Sequence, residues 1–391
     1  MTQMIPYGHQ SIDDSDISAV QAVLRSDWLT QGPAVPAFEE SLRARCGANF
    51  AVAVSSATAA LHIACLTAGL GPGDRLWTSP NTFVASANCA RYCGAEVDFV
   101  DIDPDTWCLD TGALEHKLES ASRIGRLPKV VIPVAFGGRS CDMRHVKSLS
   151  IRFGFTVIED ASHAVGANYS GHAVGCGEFA DMTVFSFHPV KIVTTGEGGA
   201  VLTNNPAYCE RLRSLRSHGI TRPASELVPN IEGPWFYEMV ELGFNYRMTD
   251  IQAALGTSQL RRLNPFLERR RYLAERYHRL LAALPLQLPA LSPLDESAWH
   301  LYVVRLSDRS HRAVFQSLRD AGIGVNLHYI PVHLHPYYRK LGFAPGDYPR
   351  AEQYYREAIS LPMFAGLDDE RQDRVVDELR NAIELQREAL P

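Results

Sequence analysis

Between residues 50 and 215 the chain repeats one pattern, a short apolar run followed by a turn and a helical stretch. Runs at 50–54, 75–78, 96–100, 129–136, 155–158, 182–187 and 200–203 read as strands. The plainest helical patterns between them are 56–68, small and apolar throughout, and 83–92. Strands joined by helices return in the same direction, so the pattern calls for a mostly parallel sheet with helices on both faces. The strand runs are apolar without alternation, as strands buried on both faces require. The expected fold class is α/β.

After Arg247 the character changes. Residues 248–284 are helical and rich in Leu, Arg and Glu, with Pro265 expected to break or kink the run. A Pro- and Leu-rich connector at 285–293 leads to a second α/β unit: strand 301–306, helix 311–321 and strand 324–329. The last helix is expected to start at Asp368 or Asp369, either of which can cap it. Val375, Leu379 and Ile383 then recur every fourth residue and give it one apolar face. A chain of 391 residues exceeds what one core usually serves, so two domains are expected, a large one over 1–263 and a smaller C-terminal one over 264–391.

The net charge of −6 argues against a nucleic-acid-binding surface. Eight cysteines are scattered, mostly in apolar stretches and never as CxxC, which fits buried free thiols in a reducing compartment. The N-terminal run MTQMIPYGHQSIDDSD has no basic segment leading into an apolar one. No stretch of about 20 apolar residues exists to span a membrane. A cytoplasmic enzyme is the expectation.

Three elements follow predicted strands, where open α/β sheets bind ligands. The first is Ser55-Ser56-Ala57-Thr58. Small residues at a helix N-terminus let backbone amides approach an anion, although a plain helix cap has the same composition. The second is Glu159-Asp160 in VIEDASH. A carboxylate there can keep a pyridine nitrogen protonated and so make the ring an electron sink, as pyridoxal-5′-phosphate (PLP) chemistry needs; it can equally cap a helix or bind a metal. The third is Lys191 in FSFHPVK, followed by TTGEGG. A lysine just after a buried strand is poorly placed for solvation, and burial lowers its pKa and leaves it nucleophilic, with glycines to permit tight turns around it; a surface lysine in a loop is the alternative. Each element alone is ambiguous. Their order, anion nest then acid then lysine, favours a PLP site.

The strings SSATAALHIA, EDASHAVGA, FSFHPVKIVTTGEGGAV and GFNYRMTDIQAALG together resemble the DegT/DnrJ/EryC1/StrS family of sugar aminotransferases, and the resemblance extends from IPYGHQSI to LPMFAGLDDE. It implies the fold-type I PLP architecture and a homodimer with active sites shared at the subunit interface. By resemblance, Lys191 holds PLP as a Schiff base and Asp160 pairs with its pyridine nitrogen. Ala57, Thr58 and Ser186 hold the phosphate. Phe83 lies against the cofactor, His163 shares the pocket, and Asn245 reaches the phosphate of the neighbouring subunit's cofactor. L-Glutamate is the implied amino donor, with Lys191 shuttling the proton as general acid/base. Related dehydrases carry His where this chain carries Lys191, so transamination is favoured over a lyase. A non-catalytic PLP-binding regulator is a third possibility, for which no DNA-binding segment is visible.

The N-terminal run and the lysine motif look most like the branch that aminates C4 of a UDP-linked 4-keto-6-deoxy-N-acetylhexosamine on the route to pseudaminic acid. Other branches aminate C4 or C3 of other nucleotide-linked keto sugars with the same cofactor motifs. Candidate sugar contacts are Tyr7, Trp28, His328 and Tyr329. Arg222 and Arg247 are cations available to the donor carboxylate or the sugar diphosphate. His333 and His335 add an HxH spacing near His328, but no carboxylate or cysteine completes a set there, so no metal is expected.

Overall fold

The computed structural model describes residues 4–221, 235–291, 293, 296–306 and 308–388. Its centre is a seven-stranded sheet. In chain order the strands are β1 (Phe50–Val54), β2 (Arg75–Thr78), β3 (Glu96–Phe99), β4 (Val130–Ile132), β5 (Thr156–Asp160), β6 (Met182–Ser186) and β7 (Gly199–Thr203). The spatial order is β1-β7-β6-β5-β4-β2-β3. All neighbours are parallel except β7, which runs antiparallel to both β1 and β6.

Successive side chains of every strand except the edge strand β3 turn to cores on opposite faces of the sheet. Val52, Val54, Ile158 and Val184 face one hydrophobic cluster with the helices Ala57–Thr67 and Ala85–Tyr92. Ala51, Ala53, Phe185 and Leu202 face another, with Phe38 and Phe187. Val131 and Val157 join a third around Trp77 and Trp107. This two-sided burial is why the strands read as continuous apolar runs.

The C-terminal part has its own core. Two antiparallel strands, β8 (Tyr302–Arg305) and β9 (Ala358–Leu361), pack under the helices Leu263–Leu281, Asp308–Asp320 and Asp369–Glu388. Val375, Leu379 and Ile383 all face this core, and Asp368 caps the last helix by accepting the Arg371 amide at 2.8 Å. The N-terminal segment joins the same core: Ile5 is buried there and bridges to Ile323.

Two local expectations change. Residues 324–329 do not form a strand and make only one bridge, Asn326 to Ser360. The helical stretch after 248 is two helices, Asp250–Arg261 and Leu263–Leu281, so Pro265 sits in the first turn of the second. A proline is tolerated there because the first-turn amides have no helical acceptor to lose. Among the described residues no helix is long and apolar enough to cross a membrane. All eight cysteines are unpaired, and all but Cys176 are buried.

Candidate active site

The loops after β1, β5 and β6 meet the C-terminal part around a cavity of about 560 Å³. Ser56, Ala57, Thr58, Phe83, Asp160, His163, Ser186 and Lys191 line it from the large sheet's side. Tyr7, His300, Asn326, His328 and Tyr329 close it from the other. The volume falls in the range of small-molecule and cofactor sites.

Ser56 caps the helix Ala57–Thr67, its side chain accepting the Ala59 amide at 3.1 Å. Ser56 is thus a cap, and the cap leaves the Ala57 and Thr58 amides without helical acceptors at the cavity wall, which is the arrangement an anion nest needs. Gly199 allows this helix to start where it does. A Cβ added there would lie 2.6 Å from the Ala57 nitrogen and 2.6 Å from the Ser56 carbonyl carbon. A Cβ on Gly198 would meet Thr195 Oγ1 at 2.2 Å. The glycines after Lys191 thus make room for the Thr195 side chain at 198 and for the backbone of the helix start at 199. Only Gly196, with φ of +78°, serves the turn itself.

Lys191 sits on a loop stitched at its base. The Phe187 amide donates to the Gly198 carbonyl at 2.9 Å, and the Thr195 amide returns to the Phe187 carbonyl at 3.0 Å. Ile192 and Val193 anchor the loop in the core. The residue faces an open cavity, but its amine is surrounded by protein. Burial pushes its pKa down to about 8, against the opposing charge of Asp160. Asp160 is gripped by three donors: Ser86 Oγ at 2.6 Å, the Ser162 amide at 3.1 Å and Ser162 Oγ at 2.5 Å.

His163 and His328 are neutral. The Gly137 amide donates to His163 Nδ1 at 3.3 Å. The proton therefore sits on Nε2, which donates to the Tyr329 hydroxyl at 3.2 Å. Burial, with Lys191 and His328 nearby, drives the His163 pKa well below its usual value. His328 falls to about 3 for the same first cause, with Lys191 second, and its Nδ1 lies 2.8 Å from Ser360 Oγ. The Tyr7 ring lies tilted against that of His328 at 5.3 Å, and Phe83, at the exposed rim, lies 6.1 Å from the Tyr329 ring.

Two candidates stand away from this cavity. Trp28 is 55% exposed and folds back on Gly32, where an added Cβ would come within 2.4 Å of the Trp28 Cβ. Its loop is held by the buried Asp250 carboxylate, which accepts the Gly32 and Ala34 amides at 3.0 Å each. Trp28 is thus not a contact of its own chain's cavity. Asn245 is exposed on a strip that bridges to Ser217. Arg247 bridges to Val54 beside it, and Arg222 lies outside the described residues. His333 is buried elsewhere, its Nε2 2.9 Å from Glu352. Sequence reading missed Ser86 and His300, which had no local signal. Ser162, two residues after Asp160, carried one, since a hydroxyl at that spacing bonds back to a carboxylate.

The donor set fits PLP. A lysine amine of lowered pKa suits the aldehyde, a carboxylate held by hydroxyls suits the ring nitrogen, and free helix amides with Ser186 suit the phosphate.

Comparison with known proteins agrees. Residues 10–380 match the model of the DegT/DnrJ/EryC1/StrS aminotransferase family. The spore coat polysaccharide biosynthesis protein SpsC of Bacillus subtilis is 37% identical over 386 residues, covering 97% of each chain. Helicobacter pylori PseC, an aminotransferase of pseudaminic acid biosynthesis, superposes with a TM-score of 0.88 at 31% identity, covering 98% of this chain and 100% of PseC. Spr1654 of Streptococcus pneumoniae in its PLP form also gives a TM-score of 0.88 at 31% identity, over 98% of this chain and 99% of that one. The chain belongs to the DegT/DnrJ/EryC1/StrS aminotransferase family and is a PLP-dependent sugar aminotransferase.

Proposed function

We propose that this enzyme transfers the amino group of L-glutamate to C4 of UDP-2-acetamido-2,6-dideoxy-β-L-arabino-hex-4-ulose, giving UDP-4-amino-4,6-dideoxy-N-acetyl-β-L-altrosamine for pseudaminic acid. The observation that carries the transaminase chemistry is Lys191, an amine of lowered pKa facing the same cavity as Asp160. The similarity to PseC supports this sugar. A second reading has its own support: SpsC, at 37% identity, is described as a spore coat polysaccharide protein, which favours another nucleotide-linked keto sugar, aminated at C4 or C3.

When bound, PLP supplies a carbonyl for amine exchange and a ring that accepts electrons. The protein's residues do the rest. Lys191 would hold the cofactor, and its amine would carry the proton between the donor's α carbon and the cofactor's C4′ atom. Asp160, oriented by Ser86 and Ser162, keeps the ring nitrogen protonated. The Ala57 and Thr58 amides and Ser186 bind the phosphate. Phe83 would lie against the cofactor, and His163, kept neutral by burial, would share the pocket with it. Tyr7, His328 and Tyr329 contact the sugar. Asn245, exposed on its own chain, is assigned to the cofactor phosphate of a second copy in a homodimer, and Trp28 to the same shared interface.

The test is incubation of the holoenzyme with L-glutamate and a panel of UDP-, GDP- and dTDP-linked keto sugars, with products read by mass spectrometry and NMR. Amination of the UDP-4-keto sugar with the expected stereochemistry supports the first reading. Selective amination of another sugar replaces it with the second. A protein whose PLP absorbance does not respond to glutamate refutes both.

A further inference from the structure

The roles above leave several polar side chains of the cavity without a task, and one of them is a buried imidazole. His300 lines the cavity yet is only 4% exposed, and its ring centroid lies 4.4 Å from that of His163. Its backbone is fixed from several sides. The buried guanidinium of Arg270 donates to the carbonyls of Trp299 at 3.0 Å and His300 at 3.3 Å. The Ala298 and Leu301 amides donate to the Gly138 and Gly137 carbonyls at 2.9 and 3.2 Å. A Cβ on Gly138, whose φ is +112°, would lie 2.8 Å from the Trp299 nitrogen and 3.1 Å from that of His300, so this contact requires glycine. The same two glycines flank the cavity at His163, whose Nδ1 takes the Gly137 amide.

The imidazole held so firmly makes no hydrogen bond of its own among the described residues. Nδ1 is sealed within the protein without a partner. The nitrogen left for the cavity is Nε2. Burial first, then the neighbouring His163, Lys191, Arg270 and His328, keep the ring neutral, so it has one donor and one acceptor to satisfy. A buried polar ring with no partner is unfavourable, and an apolar ring would fill the same space beside His163 without that penalty.

We propose that His300 is a positioning residue of the transamination reaction, whose Nε2 holds an oxygen of the loaded site against the wall formed by His163 and Lys191. The oxygen comes from the bound cofactor or substrate, or from an ordered water. The inference rests on the reading of this cavity as the transamination site.

The experiment has two arms. In crystals of the unaltered enzyme loaded with PLP, and with PLP and L-glutamate, an oxygen is expected within about 3.2 Å of Nε2. A ligand oxygen identifies a direct contact and a water an indirect one. Only carbon neighbours in both crystals overturn the proposal. In solution, the glutamate half-reaction is followed through the cofactor's absorbance. His300→Phe keeps the ring but not the nitrogen, and is expected to slow the half-reaction about tenfold while melting no lower than the parent. His300→Gln restores a polar group near the Nε2 position and is expected to recover most of the rate. A His300→Phe rate equal to that of the parent refutes the proposal, and so does a His300→Gln no faster than His300→Phe. If the unaltered enzyme does not react with glutamate, the transaminase reading fails instead.

Discussion

Ser86 and Asp160, 74 residues apart in the chain, are joined by a 2.6 Å hydrogen bond in which the hydroxyl donates to the carboxylate. Ser86 lies on the helix Ala85–Tyr92 and Asp160 ends β5, so the bond ties the two elements at the cavity wall. The Thr82 hydroxyl, 2.7 Å behind Ser86, extends the chain of hydroxyls away from the acid. Ser86→Ala is expected to weaken PLP binding and slow the glutamate half-reaction, each by about tenfold, because Asp160 keeps Ser162 but loses one charge-assisted donor. Titration of the apoenzyme with PLP and stopped-flow absorbance check both.

Lys191→Ala removes a cavity-lining amine, not a core side chain. The variant is expected to fold with an unchanged circular dichroism spectrum and to lose turnover by more than about a thousandfold, since it lacks both the cofactor anchor and the proton carrier. Turnover within tenfold of the parent would remove Lys191 from its assigned role.

The pKa of about 8 at Lys191 sets a pH dependence for cofactor loading. The neutral amine is the nucleophile, so the rate at which apoenzyme takes up PLP is expected to rise with pH and level off above about pH 8. A free lysine would keep rising toward about pH 10.4. Rapid-mixing absorbance between pH 6 and 9.5 distinguishes the two.

Gly199→Ala places a methyl 2.6 Å from the Ala57 nitrogen and must push the start of the helix Ala57–Thr67 away from β7. The phosphate nest moves with it. The expected result is PLP affinity reduced by more than about tenfold, with a lower melting temperature from the clash. Gly196→Ala strains a turn of positive φ but leaves the nest in place, so it should reduce affinity less.

Glu159 points away from Asp160 into the protein, where Ser140 Oγ donates to it at 2.6 Å. Burial pushes its pKa up to about 7, the Ser140 bond opposes this, and the Asp160 charge adds to it. A carboxyl whose pKa is raised on folding stabilises the fold below its unfolded value and loses that contribution as pH climbs through the folded one. The stability lost between about pH 4.5 and pH 7 is on the order of 3 kcal/mol. Glu159→Gln does not titrate, so its melting temperature relative to the parent is expected to rise over that interval. A constant difference across the interval would show that Glu159 is ionised throughout.

The sequence by itself determined what is local in the chain. The apolar runs marked the strands because all but the edge strand β3 are buried on both faces, and the Ser55–Thr58 turn, Asp160 and Lys191 were legible because each follows such a run. Periodicity placed Val375, Leu379 and Ile383 on one buried face for the same reason. The tertiary structure alone decided which distant residues meet. Strand order brings β5 beside β6, and so Asp160 and Lys191 into one cavity. The N-terminal segment crosses to the C-terminal core at Ile5 and carries Tyr7 to that cavity. Ser86, His300 and Tyr329 reach Asp160 and His163 across gaps of many residues. Such contacts leave no period or motif, because they depend on how whole elements pack and not on the spacing of residues along any one of them.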